Sequence, residues 1–298
     1  MSAALIVWVL GSIDWRVVAQ SWLLADRRLL IVSAGVLLLS NLLGGLQWFL
    51  FLRARSIDIS PGGALNAYFV GLFFNNFLPS GMGGDAVKVY DVGWKTGRAG
   101  DVLAATVADR LLGLVVLTGL AVAAVAGSAQ TAALDRSAWL VWLFFGGLVG
   151  LGIAIARPRL FRPLGFLLSF VPERIKPPSR GLFDRLHSLV RRPRLMLPLA
   201  VLSTLVQTLR VVVHALTGLA LGLKLPFSVY ATVVPVLGVL INFPSINGVG
   251  IREGGGVLLF AEAGVSPEMA VSMQLLTYGV MVLLSLIGGI LFALGRRR

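Results

Sequence analysis

The hydrophobic pattern is dominated by long apolar runs. Near-uninterrupted apolar stretches occupy residues 28–52, 138–156, 195–222 and 269–295. Each reaches the ~17–25 residues that a helix needs to cross a bilayer. Transmembrane β-barrel strands instead alternate apolar and polar residues, and these leucine-rich runs do not. The pattern therefore predicts an all-α, polytopic integral membrane protein.

The composition supports this class and narrows the chemistry. Hydrophobic residues make up 57% of the chain and charged residues 13%, against about 25% charged in soluble domains. Cysteine is absent, which excludes disulfides, thiolate chemistry and Cys-based metal sites. Since Asp, Glu and His do not cluster at metal-ligand spacing, we expect no cofactor. We interpret residues 1–298 as a single transmembrane domain.

Basic residues are unevenly distributed. Ten Lys and Arg against two acids fall in residues 157–194, and three arginines end the chain. The positive-inside rule predicts that this loop and the C-terminus are cytoplasmic. Because membrane spans flank the loop, anionic lipid headgroups explain its charge better than nucleic acid does. The sequence leaves homo-oligomer formation open.

The topology follows from the cytoplasmic loop. If residues 157–194 are inside, residues 61–84 leave and re-enter the membrane on the inner side. Residues 224–264 begin and end outside by the same reasoning. At the N-terminus, residues 3–25 are interpreted as a short, tilted or partly interfacial first helix.

These two unusual segments carry similar patterns. Residues 76–85 and 242–253 each read Asn-Phe, Pro-Ser, glycines and then an acid. Gly/Pro-interrupted segments in corresponding positions of two halves are typical of inverted-repeat transporters. We place the repeats at about residues 28–127 and 195–295. The alternative is that both segments are ordinary loops between short spans.

The interrupted segments suggest a binding site. Pro79 and Pro244 break a helix, and broken backbone inside a bilayer must be buried in protein or face water. A helix that starts after Gly84 or Gly250 would direct free N–H groups into that cavity, which suits a phosphate. The candidate lipid-headgroup residues are Asn76, Ser80, Gly83, Gly84, Asp85, Lys88, Arg210, Ser245, Gly250, Arg252 and Glu253.

Two arrangements of the neighbouring charges remain open. Asp85 and Lys88 are three residues apart on one helix face, so they can form an ion pair. Across an inverted repeat, Asp85 could instead meet Arg252 while Lys88 meets Glu253. Such crossed pairs would form a gate or a headgroup site.

Ionisable residues inside the spans are candidates for structural or gating roles, as are Pro79 and Pro244. Arg210 lies ~22 Å along its predicted helix and therefore needs a partner or a wet cavity. His214, one turn later, is either a hydrogen-bonded spacer or a proton carrier. Asp109 and Arg110 are interpreted as a structural pair of residues that holds their helix to the first interrupted segment.

Several motifs resemble the lysylphosphatidylglycerol synthase transmembrane family, which includes the flippase half of multiple-peptide-resistance proteins. The resemblance covers about residues 28–295. It rests on Gln47-Trp48 with Ile57-Asp58-Ile59-Ser60, Asn75 to Ser80, Gly83-Gly84-Asp85, Lys88-x-Tyr90, Asp109 to Gly113, and Pro244-Ser245 with Gly248-x-Gly250-Ile251-Arg252-Glu253-Gly254. Lys88 departs from the Arg usual in the family and loses the planar fork that binds phosphate bidentately.

The resemblance implies a flippase that moves a phospholipid, or another anionic or aminoacylated lipid, between the leaflets of a prokaryotic cytoplasmic membrane. It does not imply lipid synthesis in this chain. An alternative is an integral membrane lipid-modifying enzyme, a phosphatase or transferase. However, Met82 stands where the Pro-Ser-Gly-His box of lipid phosphatases needs a His. A further alternative is an ion or small-solute transporter. We therefore expect a transporter and no catalytic residues.

Overall fold

A computed structural model describes residues 11, 13–77, 83–127, 135–157, 176–240 and 251–295. Of residues 135–138, 140, 176–180 and 251–253 it describes the backbone alone. The described part forms helices throughout. They are α1 (Trp15–Leu24), α2 (Arg27–Ala54), α3 (Pro61–Phe77), α4 (Gly83–Thr96), α5 (Ala99–Gly127), α6 (Asp135–Ala156), α7 (Lys176–Val190), α8 (Pro193–Ala220), α9 (Phe227–Leu240), α10 (Ile251–Ala261) and α11 (Pro267–Gly295).

Four helices are long and apolar enough to cross a membrane. These are α2, α5, α8 and α11, each of 28 or 29 residues, or ~42 Å of helix. The predicted all-α integral membrane class is confirmed. The apolar part of α6 is shorter, at residues 141–156. Within the predicted first helix, α1 is the described portion, and residues 3–10 and 12 lie outside the described residues.

An antiparallel pair, α2 and α8, forms the centre of the bundle. The N–H of Asp26 donates to the Ala220 carbonyl at 2.9 Å, where α2 begins and α8 ends. The Asp26 carboxylate also caps α2 by accepting from a backbone N–H of its first turn, which satisfies an otherwise unpaired donor. At the opposite end, Arg192 donates to the Ala54 carbonyl at 3.3 Å.

We call this second end of the bundle the basic end. Here Asp101, in the first turn of α5, pairs with three arginines from three segments: Arg55, Arg98 and Arg185. Arg98 also donates to the Ser56 carbonyl at 2.7 Å, which joins the connections after α2 and α4. Basic clustering at one end is what the positive-inside rule requires. That the basic end faces the cytoplasm stays a prediction.

Two helix hairpins enter the bundle from opposite ends. The α3–α4 hairpin follows α2 and precedes α5, so it begins and ends at the basic end. The α9–α10 hairpin follows α8 and precedes α11 at the other end. Asn76, near the end of α3, donates to Ser285 Oγ at 2.7 Å. Since Ser285 lies ten residues before the end of α11, or ~15 Å, α3 ends inside the bundle.

Helices α2–α5 and helices α8–α11 form two sets of four, and the packing contacts of one set correspond to those of the other. Helix α3 packs against α11 as α9 packs against α5, and α4–α5 contacts have a counterpart in α10–α11. The first helices of the two sets, α2 and α8, pack against each other. These are the contacts expected of two related four-helix sets. The repeat relationship and the re-entrant placement in a bilayer stay predictions.

Glycines allow α3 to approach its neighbours closely. A Cβ on Gly84 of α4 would collide with the carbonyl oxygen of Gly71. A Cβ on Gly288 of α11 would collide with the carbonyl oxygen of Phe69. Small residues at helix contacts are the usual way in which membrane helices gain van der Waals packing. Gly84, predicted from sequence as a headgroup residue, therefore has a packing role that explains its size.

We predict that Gly288→Ala lowers the thermal unfolding midpoint of the detergent-purified protein. The added methyl must push α11 away from the α3 backbone, an overpacking cost of about 1–3 kcal/mol. Gly279→Ala in the same helix is the matched control, because its Cβ would meet nothing within 4 Å. It should be neutral or stabilising by about 0.5–1 kcal/mol. Equal effects of the two substitutions would contradict the close α3–α11 contact.

The orientation can be tested by cysteine labelling, since the chain has no cysteine of its own. Arg191, beside the basic end, and Ser266, before α11, are both exposed and lie at opposite ends. We expect Arg191→Cys to be protected from an impermeant thiol reagent in intact cells and Ser266→Cys to react. The reverse result would invert the topology.

Candidate functional site

A cavity of about 390 Å³ lies at the centre of the bundle. Helices α2, α3, α4, α5, α8, α9 and α11 contribute to its wall, so helices of both hairpins border one space. The polar residues that line it are Gln47, Tyr68, Asn75, Asn76, Asp85, Lys88, Asp109, Arg110, Gln207, Arg210, His214, Gln274, Thr277 and Tyr278. Polar and charged side chains therefore make up much of the cavity lining, although its helices are mainly apolar.

Asp85 is the most heavily paired acid of the cavity. Lys88 Nζ lies 2.7 Å from its carboxylate, and Arg110 of α5 pairs with the second carboxylate oxygen. Only 13% of the Asp85 side chain and 7% of the Lys88 side chain are exposed. The ion pair predicted between Asp85 and Lys88 is present, and the carboxylate also connects α4 to α5.

Lys88 is enclosed by aromatic rings. Its Nζ lies 5.0 Å from the ring centroids of both Trp48 and Tyr68, where the ring faces attract a cation. The Trp48 indole is itself fixed, because Nε1 donates to Thr106 Oγ1 at 3.0 Å. The charge of Lys88 is thus compensated by one carboxylate and two ring faces.

Asp109 and Arg110, which the sequence predicts to hold their helix to the first interrupted segment, bond to different partners. Asp109 accepts a hydrogen bond from Gln47 Nε2 at 2.7 Å, whereas Arg110 pairs with Asp85. Adjacent residues on a helix do not face each other, so the two side chains point to different partners. Arg110 therefore joins α5 to α4 through Asp85, whereas Asp109 joins α5 to α2 through Gln47.

Arg210 borders the cavity without an ionic partner among the described side chains. Of the acids considered as its partner, Asp85 and Asp109 bond to other residues, and the side chain of Glu253 lies outside the described part. Arg210 lies 17 residues into α8 and ten before its end, or ~26 Å and ~15 Å. His214 Nδ1 lies 2.9 Å from the Arg210 carbonyl, one turn earlier in α8.

Three buried side-chain amide atoms on the cavity wall lack hydrogen-bond partners in the part of the chain that the structure describes. They are Gln47 Oε1, Gln207 Oε1 and Gln274 Nε2. Buried polar atoms in native proteins are almost always hydrogen-bonded. The cavity therefore suits water or a polar ligand that can both donate and accept.

Sequence reasoning singled out seven of the cavity-lining residues: Asn76, Asp85, Lys88, Asp109, Arg110, Arg210 and His214. Gly83 and Gly84 begin α4. Arg252 and Glu253 belong to the first turn of α10, and their side chains are outside the description. Pro79, Ser80, Pro244, Ser245 and Gly250 lie outside the described residues. The crossed pairs predicted for Arg252 and Glu253 stay predictions.

The glutamines were missed as site residues, although the sequence held a signal. Gln207 precedes Arg210 by three residues, and Gln274 precedes Tyr278 by four. These spacings place polar side chains on one face of otherwise apolar helices.

The described charges of the cavity wall do not cancel. Lys88, Arg110 and Arg210 carry three positive charges, and Asp85 and Asp109 carry two carboxylates. With His214 counted as neutral, the wall has one excess positive charge.

Comparison with known proteins assigns the family. Residues 1–289 match the model of the lysylphosphatidylglycerol synthase transmembrane region. The chain belongs to this family. The resemblance drawn from the sequence motifs is therefore confirmed, and the protein is an integral membrane protein of the lysylphosphatidylglycerol synthase transmembrane-region family.

Two relatives are named as UPF0104 membrane proteins. The one from Methanothermobacter thermautotrophicus is 27% identical over 252 residues, which cover 76% of this chain and 72% of the relative. The one from Pyrococcus horikoshii is 31% identical over 94 residues, which cover 30% of this chain and 28% of the relative. No solved structure matches the chain significantly.

We predict that Asp85→Asn strongly destabilises the fold. It leaves Lys88 and Arg110 beside a neutral amide, and breaking a buried pair costs about 3–5 kcal/mol. Asp91→Asn is the matched control on the same helix, because its pair with Lys95 is well exposed, with 42% and 70% of the side chains accessible. Its loss should cost less than about 1 kcal/mol. Thermal unfolding in detergent measures both, and similar midpoints would contradict the structural role of Asp85.

Proposed function

We propose that this protein is a flippase that moves a lipid with an anionic or aminoacylated phosphate headgroup between leaflets, through the central cavity. The observation that carries the proposal is Arg210, a guanidinium on the wall of this cavity with no ionic partner among the described side chains. A charge at that position in an apolar helix is costly. A transient anionic partner would explain its presence.

The chemistry of the cavity fits a phosphate. An unpaired phosphate cannot cross hydrocarbon without a large desolvation cost, and Arg can give it two parallel charge-assisted hydrogen bonds. The unpaired atoms Gln47 Oε1, Gln207 Oε1 and Gln274 Nε2 can accept from or donate to the remaining polar groups of a headgroup. Asp109, hydrogen-bonded to a neutral amide, could receive the amine of an aminoacylated headgroup.

A transporter explains the described cavity better than an enzyme does. Nucleophilic catalysis needs a nucleophile held by a base. Of the described lining residues, Thr277 carries an aliphatic hydroxyl, and this hydroxyl donates to the Met273 carbonyl of its own helix. His214 Nδ1 faces the Arg210 carbonyl. An ion or small-solute transporter uses similar groups, and the experiment below separates it from a lipid flippase.

The proposed membrane orientation follows from the basic residues clustered at one end of the bundle. We place the basic end at the cytoplasmic face of a prokaryotic inner membrane, with the C-terminus on that side. There Arg53, Arg191 and Arg194 are exposed and can contact anionic headgroups, which contribute about 1 kcal/mol per basic residue near the surface.

We predict that Arg210→Ala slows flipping of fluorescent phosphatidylglycerol in proteoliposomes by about tenfold or more, because the phosphate loses its cationic partner. Arg210→Lys should recover part of the rate, since it keeps the charge without the planar fork. Flipping is measured as the fraction of fluorophore that a membrane-impermeant reductant destroys. Arg16→Ala, at an exposed arginine of α1 that lies outside the cavity lining, is the control and should flip normally.

A double substitution separates binding from structural support. If Arg210 only neutralises an acid, Arg210→Ala will lower the unfolding midpoint, and adding Asp109→Asn or Glu253→Gln will restore both stability and flipping. That rescue would overturn the phosphate role. A wild-type protein that transports glycerol phosphate but no lipid would indicate the small-solute alternative.

A further inference from the structure

A second, larger space lies between α4 and α5, on the outside of the bundle. It has a volume of about 850 Å³. We call it the α4–α5 groove, and it is lined by Asp85, Ala86, Val89, Tyr90, Gly93, Trp94, Gly97, Ala99, Leu103, Thr106, Val107 and Arg110. The exposure of Tyr90, Trp94 and Leu103 shows that the groove opens to the surroundings of the protein.

The described wall of the groove is mainly apolar, apart from Asp85 and Arg110 at one end. The hydroxyl of Thr106 in this wall is already satisfied, because it donates to the Val102 carbonyl at 2.9 Å and accepts from Trp48. The rings of Tyr90 and Trp94 stack with centroids 5.9 Å apart. Aromatic side chains of this kind sit at the boundary between hydrocarbon and headgroups. Such a wall can bind a hydrocarbon chain but offers little to a polar ligand.

One ion pair separates the groove from the central cavity. Asp85 and Arg110 line both spaces, and they alone do so among the residues that the structure describes. The groove is thus apolar up to the point where it meets the polar cavity. An apolar groove that meets a cavity with charged side chains matches the shape of a lipid, whose hydrocarbon chains are joined to its charged headgroup by a short linkage.

We propose that the α4–α5 groove holds a hydrocarbon chain of the transported lipid while the headgroup occupies the central cavity, with the Asp85–Arg110 pair at the junction. The proposal rests on the flippase function proposed above. A lipid held this way keeps its chain in an apolar environment during headgroup passage, which avoids exposing apolar surface to the wet cavity. An incoming phosphate can replace the Asp85 carboxylate on Arg110, because both anions accept the same charge-assisted hydrogen bonds.

The test fills the groove after folding, so that misfolding cannot mimic the effect. Leu103 lines the groove, whereas Leu283 is an exposed leucine of α11 that lines neither space. Leu103→Cys and Leu283→Cys are purified, reconstituted in phosphatidylcholine and phosphatidylglycerol vesicles, and labelled with a methyl or a hexadecyl thiosulfonate. The hexadecyl label at residue 103 should slow phosphatidylglycerol flipping by about tenfold. The methyl label there, and both labels at residue 283, should change it little.

A photoreactive probe reads the groove directly. Phosphatidylglycerol with a diazirine in its acyl chain should crosslink to Val89 or Val107 in the unmodified protein, and the hexadecyl label at residue 103 should remove these crosslinks. Normal flipping with the groove filled, or crosslinks at α11 instead of the groove, would overturn the inference while leaving the flippase function intact. Groove crosslinks in a protein that flips no lipid would show a bound structural lipid and would also overturn it. If the unmodified protein flips no lipid at all, the proposed flippase function itself is wrong.

Discussion

The position of Asp85 constrains much of the first half of this protein. Its carboxylate lies in the interior of an apolar bundle, where an ionised group must be paired to be tolerated. It bonds Lys88 within α4 and Arg110 on α5, and the aromatic faces of Trp48 and Tyr68 enclose the same cation. The α3–α4 hairpin, α5 and α2 are therefore fixed relative to one another by charge, in a region where hydrophobic packing alone discriminates poorly between positions.

This charge cluster also divides the interior into spaces of different character. On one side is the polar cavity with Arg210 and the glutamine amides. On the other is the apolar α4–α5 groove. A protein that handles an amphipathic substrate needs both environments within one molecular length. The Asp85–Arg110 pair is where the two meet, so under the proposed function both the fold and the substrate would constrain it.

Much of the fold could be predicted from local features of the chain. Long apolar runs fix the spans because a helix must satisfy its backbone and cover the bilayer thickness. The positions of the two hairpins were predicted from the distribution of Lys and Arg among the loops. In the structure, the α3–α4 and α9–α10 hairpins enter the bundle from opposite ends. The Asp85–Lys88 pair was accessible because residues three apart share a helix face.

Only the tertiary structure determines which side chains distant in sequence bond to each other. The sequence alone determined the membrane class, the family, and which buried charges needed an explanation. It could not show that Asp109 bonds Gln47, or that Arg110 bonds Asp85. The position of a charged residue in the sequence does not indicate which distant side chain it will contact. Nor could it show that Gly84 and Gly288 are small because backbone carbonyls of α3 approach them. Pairing and close approach depend on how helices cross, and that geometry arises only when the whole bundle packs.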